Sequence, residues 1–374
     1  MEKRKQVYLI IIMLYLLTAC GEVTPKSSIP KDDITIPEHI EQTLDSHLIV
    51  NANIIPPNSQ TLYSYPATVH IFDSTNVNQV LFQQEGIPYD NGADSEMIIQ
   101  TEEAASIFYS SMLFQNDDYM RYLKVFFGLS DSVDESQKVF SHYESLFVET
   151  PQKELASFSI KEAKDAIRDK TEKLGISLAK EPYVWFGIDQ KQLADMELLF
   201  RQDDLGTDFL EQAGINNYWS EEDECYYILW NIECHGENIL SGNYNYVSNV
   251  NGITLITNGS TLFACIRKHE LVCFEISRTY TIEENGTYEG TIMPIEELLD
   301  HINYEYRNLI LDSDVTITRI EFCMAPVISN AHTMEYTMTP VWSVLAVNNI
   351  ANANESIING TVMLFHAVSG ERIN

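Results

Sequence analysis

Basic residues are scarce in this chain of 374 residues, which has 23 Lys and Arg against 55 Asp and Glu. The resulting net charge of −32 repels the phosphate backbone of nucleic acids, so we expect no nucleic-acid partner. The same charge repels anionic lipid, so a basic patch cannot hold the chain on a membrane surface. The acidity otherwise affects solubility and the choice of partners, not the fold.

Long apolar runs are also missing, and the apolar run near the N-terminus covers only residues 7–17. As a helix it would rise about 16 Å, roughly half of a bilayer core, so a membrane-spanning anchor is disfavoured. Lys3, Arg4 and Lys5 precede the run. A basic start followed by a short apolar segment is typical of a secretory signal peptide.

The apolar run ends in Leu17, Thr18, Ala19 and Cys20, a stretch that resembles the bacterial lipobox. The resemblance implies that diacylglycerol is attached to the Cys20 thiol and that a peptidase removes residues 1–19. Cys20 has the only side chain there that can form the thioether. An ordinary signal peptide or a buried cysteine is the alternative. We therefore predict a lipidation site at Cys20 and a location on the extracytoplasmic face of the cell membrane.

Composition and periodicity divide the rest of the chain into four segments. Residues 20–37, rich in Pro, Ser and Thr, are typical of a flexible tether. Residues 38–150 mix strand and helix patterns and are predicted to be an N-terminal α+β region. The segments 151–290 and 291–374 each contain a helix followed by antiparallel strands, which indicates two related units. The predicted fold class is therefore α+β, built from helix-plus-antiparallel-sheet units.

The strongest helix pattern covers residues 159–174. Ser159 can cap this helix, Glu162 occupies the capping-box position, and Gly175 fits the C-terminal stop. A second helix is predicted for residues 294–310, which have an early proline and apolar residues along one face.

The C-terminal segment resembles the end of PepSY-type and YycI-like extracellular modules. The similar residues are Met338, Thr339, Pro340, Val341 and Trp342, then 357–367, and finally Gly370, Glu371, Arg372 and Ile373. His366 stands where these modules usually have Asn, and residues 158–176 are similar to their opening helix. With its lipobox, the chain resembles uncharacterised lipoproteins of clostridia and related Firmicutes. The resemblance implies an α+β module at the cell surface, usually without known catalysis, which in some relatives acts on a sensor kinase or a protease.

Besides Cys20 the chain has five cysteines, and an odd number cannot all pair within one molecule. They lie among β-branched and aromatic residues, where a free cysteine often acts as a small apolar filler. One or two disulfides are the alternative outside the cell, across predicted hairpins. The five are Cys225 and Cys234, Cys265 and Cys273, which would form those pairs, and Cys323.

Motifs of catalysis and metal binding are absent or incomplete. Ser-x-x-Lys occurs twice without the companion motifs of a penicillin-binding site. Cys225, Cys234 and His235 have a spacing outside that of structural zinc sites. The acidic loop around residues 90–96 does not follow the EF-hand order. We therefore expect no catalytic residue, no metal and no cofactor. The residues weighed for these sites also include Ser28, Lys31, Ser177, Lys180, Asp90, Asp94 and Glu96.

The function predicted from these patterns is a non-catalytic binding or regulatory module, lipid-anchored through Cys20, that acts on another surface protein. The alternative is a cell-wall or extracellular hydrolase with an acidic site. The acidic run at residues 221–224 is typical of a solvated face, and it could also attract a basic partner. A solute-binding component of a transporter ranks last, because the C-terminal half has no alternating strand–helix pattern.

Overall fold

A computed structural model describes most of the chain after residue 33. The described residues are 34–83, 89–91, 97–101, 104–119, 121–122, 152–200, 218–242, 245–250, 253–268, 270–307, 309, 311, 313–330, 333–349 and 358–373. One compact unit extends over Ile36–Asn374. The predicted signal peptide, Cys20 and residues 20–33 of the tether lie outside the described residues, as do Ser28, Lys31, Asp94 and Glu96.

Strands make up most of the regular structure. In chain order they are β1 (His39–Asp45), β2 (Leu48–Ile55), β3 (Thr61–Val69), β4 (Tyr89–Asn91), β5 (Met97–Gln100), β6 (Ala104–Phe108), β7 (Met112–Asn116), β8 (Val184–Ile188), β9 (Cys225–Asn231), β10 (Glu233–Cys234), β11 (Glu237–Asn238), β12 (Asn245–Val250), β13 (Ile253–Asn258), β14 (Thr261–Arg267), β15 (Glu270–Ile276), β16 (Tyr280–Ile282), β17 (Thr287–Thr291), β18 (Val315–Asn330), β19 (Glu335–Asn349) and β20 (Ile358–His366).

Helices are few and short in the described residues. They are α1 (Ser74–Val77), which continues as a π-helical turn (Asn78–Phe82), α2 (Ile160–Lys173), α3 (Gln190–Phe200), a 3-10 helix (Glu221–Asp223) and α4 (Ile295–Tyr306). The two helices that the sequence predicted at residues 159–174 and 294–310 are α2 and α4. Both predictions are confirmed.

The ends of α2 follow the predicted local chemistry. The Ser159 side chain accepts a hydrogen bond from the Glu162 N–H, and the Glu162 carboxylate accepts one from the Ser159 N–H, which completes a capping box. At the other end Gly175 has a φ of +78°. The N–H groups of Gly175 and Ile176 donate to the carbonyls of Glu172 and Thr171, the two bonds of a Schellman motif.

Two eight-stranded sheets organise the fold. Sheet I has the order β1-β2-β18-β19-β3-β16, with β17 also pairing with β3 and β20 with β19. It is mixed, because β2 and β18 run parallel. Sheet II has the antiparallel order β4-β5-β6-β7-β15-β14-β9-β8. The pairs β10-β11 and β12-β13 form separate two-stranded ribbons.

The prediction of an α+β fold made of helix-plus-sheet units is wrong. The structure is mostly β, with 48% strand against 20% helix. Each large sheet combines strands from distant parts of the chain, since sheet I joins β1–β3 to β18–β20 and sheet II joins β4–β7 to β8, β9, β14 and β15. Hydrophobic periodicity reports which residues form a strand and which face is buried. It carries no information about which strand is the neighbour, so two local helix-then-strand patterns suggested two units that do not exist.

The two faces of sheet II bury different groups. On one side α2 packs against β14, with Ala163 and Ile167 fully or almost fully buried. On the other side Leu193 of α3 and the rings of Tyr122 and Trp219 join a buried cluster. That cluster also contains Cys225, Cys265 and Cys273.

All five cysteines of the described chain are free and buried, which confirms the interpretation as apolar fillers. Cys265 and Cys273 are cross-strand partners of β14 and β15, as a hairpin requires, but they are not bonded. Cys225 and Cys234 lie at opposite ends of the extended run β9–β10, not across a hairpin. No hairpin therefore brings those two thiols together.

The C-terminal residues that carry the family resemblance have structural roles. Trp342 is fully buried and meets the Phe322 ring edge-to-face. The Nδ1 atom of His366 accepts the N–H groups of Val368 and Ser369 at 3.3 and 3.2 Å. These two bonds stabilise the turn that follows β20.

Candidate binding surface on strand β3

A two-residue turn between β10 and β11 presents a histidine to the surface. His235 and Gly236 both have positive φ, +49° and +86°, as a type I′ hairpin turn requires. Histidine is among the residues enriched in this left-handed region. Asn58 holds the turn in place, because its Nδ2 donates to the Gly236 carbonyl and its backbone N–H donates to Glu237 Oε1, both at 2.7 Å.

A group of four rings at the surface, which we call the aromatic surface, consists of Tyr63, Tyr65, His235 and Tyr288. The His235 ring stacks on Tyr65 with centroids 4.2 Å apart. Tyr63 meets Tyr288 edge-to-face at 5.8 Å. Tyr63 and Tyr65 share one face of β3 because they are two residues apart, and Tyr288 is the cross-strand partner of Tyr63 on β17.

Burial changes along this face of β3. Ala67 is buried, and Tyr65 is half-buried beneath His235 and close to Gly286, where a Cβ atom would lie 2.6 Å from the tyrosine ring. Tyr63 and Tyr288 are left 42% and 62% exposed. Grouped aromatic side chains in solvent are a feature that a binding role explains, whereas single exposed apolar residues are ordinary.

A groove of about 370 Å³ lies between the end of α2, the following loop and β10. Glu233 belongs both to this groove and to the β10–β11 hairpin that carries His235, so the groove and the aromatic surface are neighbours. The Arg168 guanidinium lies over the Trp230 ring at 5.0 Å and donates to the Lys180 carbonyl at 2.8 Å. The groove is lined by Arg168, Thr171, Glu172, Gly175, Ile176, Ser177, Leu178 and Glu233.

Burial and local charge perturb the ionisable groups at this place. Burial raises the pKa of Glu233, although the nearby charges of Arg168 and His235 oppose the rise. Burial also raises the pKa of Glu237, against the opposing effect of N–H donors from Asn58 and Ser59. Burial raises the pKa of Tyr65, with further contributions from neighbouring groups that include Glu237. The carboxylates of this region are thus partly desolvated.

Cys225, Cys234 and His235 were considered as metal ligands from the sequence, and the structure does not bring them together. Burial raises the pKa of the Cys234 thiol to about 12, and the His235 ring is engaged with Tyr65. Cys225 begins β9 and Cys234 ends β10, so the two thiols lie at opposite ends of one extended run. These three residues therefore do not meet as zinc ligands. Among the described residues, no group of three or more His, Cys, Asp or Glu is arranged to hold a metal ion.

Two further sites considered from the sequence, the Ser177–Lys180 motif and the acidic run at residues 221–224, lie within the described residues. Ser177 lines the groove, while Lys180 is exposed and contributes its carbonyl to Arg168. In the acidic run, Glu221 and Glu222 are exposed, whereas Asp223 forms an ion pair in which its Oδ1 atom lies 3.6 Å from Arg121 Nη1. Within the described parts of the chain, no helix is both long enough and apolar enough to cross a membrane.

Sequence reasoning missed the aromatic surface. The alternation of Tyr63 and Tyr65 and the adjacent His235 and Gly236 are signals that could have indicated a strand face and a turn. No sequence signal brings Tyr288 to Tyr63 or His235 to Tyr65, since these contacts join residues more than 150 positions apart.

Comparison with known proteins supports the fold alone. No protein-family model matches the sequence, and no curated protein matches it. The structure is similar to the crystal structure of an uncharacterized protein from Eubacterium rectale ATCC 33656, with a TM-score of 0.61 and 14% sequence identity. The match covers 90% of this chain and 94% of that chain. This chain therefore shares its architecture with that protein over almost the full length of both.

Proposed function

We propose that the chain is a lipid-anchored protein of the extracytoplasmic face that binds another surface protein without catalysing a reaction. The aromatic surface and the adjoining groove are its binding face. The observation that carries the proposal is the exposed Tyr63–Tyr288 pair, together with a concave groove next to the hairpin that carries His235. Tyrosine is enriched in protein interfaces because it offers a large, rigid and amphipathic contact area.

The anchoring part of the proposal rests on the lipobox residues that end at Cys20. Cells grown with an alkyne-tagged fatty acid should incorporate the tag into the protein. The Cys20→Ala variant should lose the tag, because alanine has no thiol group that could form the thioether. Equal labelling of both proteins would contradict a lipid at Cys20.

The binding part is tested by site-specific photo-cross-linking in the cell. A benzoylphenylalanine placed at Tyr288 should form a discrete adduct with one partner protein. The same group at Tyr304 is the control, because that side chain is similarly exposed, at 64%, but lies on α4. An adduct at position 288 and none at 304 is the expected result. Failure to cross-link at 288, or the same adduct from both positions, would count against this face.

A second candidate function is hydrolysis in the groove. Glu172 and Glu233 both line it, and the raised pKa of Glu233 suits a general acid in a reaction that needs two carboxyl groups. If the chain hydrolyses cell-wall glycan, Glu233→Gln should reduce the rate by at least a hundredfold, as loss of a general acid does. A rate that is unaffected by Glu233→Gln, or the absence of any glycan hydrolysis, rejects this alternative.

A further inference from the structure

Charge is distributed unevenly around the aromatic surface. Residues 55–68, 233–242 and 280–291 supply the surface and its rim, and they contain five glutamates and no Lys or Arg. The five are Glu233, Glu237, Glu283, Glu284 and Glu289. Of these, Glu233 lines the groove, and Glu289 lies on the other face of the sheet, where it accepts a hydrogen bond from the buried Ser64 hydroxyl at 2.6 Å. The cation of the neighbouring groove, Arg168, lies over the Trp230 ring and donates to the Lys180 carbonyl. The rim of the rings is therefore negative.

Two of these glutamates are placed beside the rings by the backbone. Glu237 accepts the Asn58 N–H at 2.7 Å, which fixes its carboxylate next to the turn that carries His235. Glu283 is exposed and its carbonyl bonds the His235 ring nitrogen at 2.9 Å, so it also borders the stacked pair. The contacts to Asn58 and His235 therefore fix the Glu237 carboxylate and the Glu283 backbone beside the stacked pair.

The chemistry of the occupant follows from the combination of rings and carboxylates. An apolar partner would cover the carboxylates without pairing them, and burying an unpaired charge is unfavourable. An anionic partner would be repelled. A Lys or Arg side chain is attracted both to the face of a tyrosine ring and to a carboxylate.

We infer that the partner presents Lys or Arg side chains to the aromatic surface, where Tyr63 and Tyr288 contact the cation and Glu237 and Glu283 supply the opposite charge. This inference rests on the proposed function and specifies the chemistry of its partner. It also fits the whole chain, because a net charge of −32 attracts a basic partner before contact and speeds association. The raised pKa of Glu237 reflects a desolvated carboxyl group that a partner cation would stabilise in its charged form.

The test uses the full-length chain in its own cell, with benzoylphenylalanine at Tyr288, and compares the adduct yield of several variants. The double variant Glu237→Gln/Glu283→Gln removes two charges, and Gln at 237 keeps an oxygen that can accept the Asn58 N–H. The control Glu221→Gln/Glu222→Gln removes the same charge from exposed residues of the 3-10 helix. The variant Tyr63→Leu keeps apolar area and removes the ring.

We expect the adduct to fall roughly fivefold in Glu237→Gln/Glu283→Gln and to stay unchanged in Glu221→Gln/Glu222→Gln. Tyr63→Leu should lower it roughly two- to fivefold, the size of an exposed cation–π contact. An equal fall in both glutamine variants would mean general charge attraction and would overturn the inference. No fall in any variant would overturn it while leaving the proposed function in place. No adduct in the parent chain would overturn both.

Discussion

A half-buried carboxyl group in sheet II shows how burial acts on ionisation. Glu275 lies on β15 opposite Phe263 and Leu113, and burial raises the pKa of its carboxyl group. In the described parts of the structure no hydrogen-bond or ion-pair partner faces it. A carboxyl group with a raised folded-state pKa binds protons more tightly in the folded chain, so its ionisation lowers stability as pH rises.

At the residue scale we predict that Glu275→Gln stabilises the protein at neutral pH. Near pH 7 the parent carries a desolvated charge in the folded state, whereas Gln carries none. The advantage should shrink as pH falls towards the ordinary value of 4.5, because the parent carboxyl group is then protonated in the folded chain. Chemical denaturation between pH 4 and 8 measures this difference. The control Glu335→Gln, at an exposed strand position, should show no comparable pH-dependent gain.

At the scale of elements, α2 is the segment whose structure depends most on its own sequence. Its first turn is closed by the capping box of Ser159 and Glu162, and its last turn by the Schellman motif at Gly175. Both motifs satisfy backbone groups that a helix leaves without partners at its ends. The sequence therefore predicted this helix to within about one residue at each end.

Replacing Ser159 with Ala should lower the free energy of unfolding by about 1 kcal/mol, because the Glu162 N–H at the start of α2 loses the hydroxyl group that accepts its hydrogen bond. Urea denaturation at neutral pH measures the change. Lys161→Ala, an exposed site in the same helix, is the matched control and should change stability by no more than a few tenths of a kcal/mol. Similar losses in both variants would show that the cap is unimportant.

Gly175→Ala should also destabilise the protein by about 1 kcal/mol, because a side chain is disfavoured at a φ of +78°. Space is not the cause, since the added Cβ would lie an ordinary 3.6 Å from the His70 ring. Gly175→Asn should therefore lose less, as Asn tolerates the left-handed region. If Asn and Ala were equally destabilising in thermal denaturation, the backbone explanation would be wrong.

At the scale of the whole molecule, the sheets join segments that the sequence had assigned to different regions. β18 lies between β2 and β19 in sheet I, so strands from the first and last hundred residues depend on each other. Sheet II likewise places β15 next to β7. A β-sheet with such distant pairings forms only when loop-closure entropy is overcome by many contacts at once.

We predict that a fragment ending at residue 290 does not fold. It would lack α4 and β18–β20, which leaves β2 without its parallel neighbour and β3 without β19. Circular dichroism and amide dispersion in NMR spectra of the fragment should show an unfolded or aggregated chain, while the full chain shows one cooperative transition. A well-dispersed spectrum from the fragment would support the independent C-terminal unit that the sequence suggested.

The sequence by itself determined the local features of this protein. It predicted α2 with both of its ends, the start of α4, and the role of buried thiols as fillers. These follow from periodicity, capping chemistry and side-chain polarity, which act over a few neighbouring residues. The lipid at Cys20 is also a prediction from a short local motif.

Only the tertiary structure decided the fold class and the candidate binding face. Strand pairing depends on backbone hydrogen bonds that any two extended segments can form, so the choice of neighbour is made by the packing of the whole molecule. That packing brought Tyr288 beside Tyr63 and His235 onto Tyr65. The sequence shows that the segments carrying these rings are acidic, but only the fold brings the segments together at one surface.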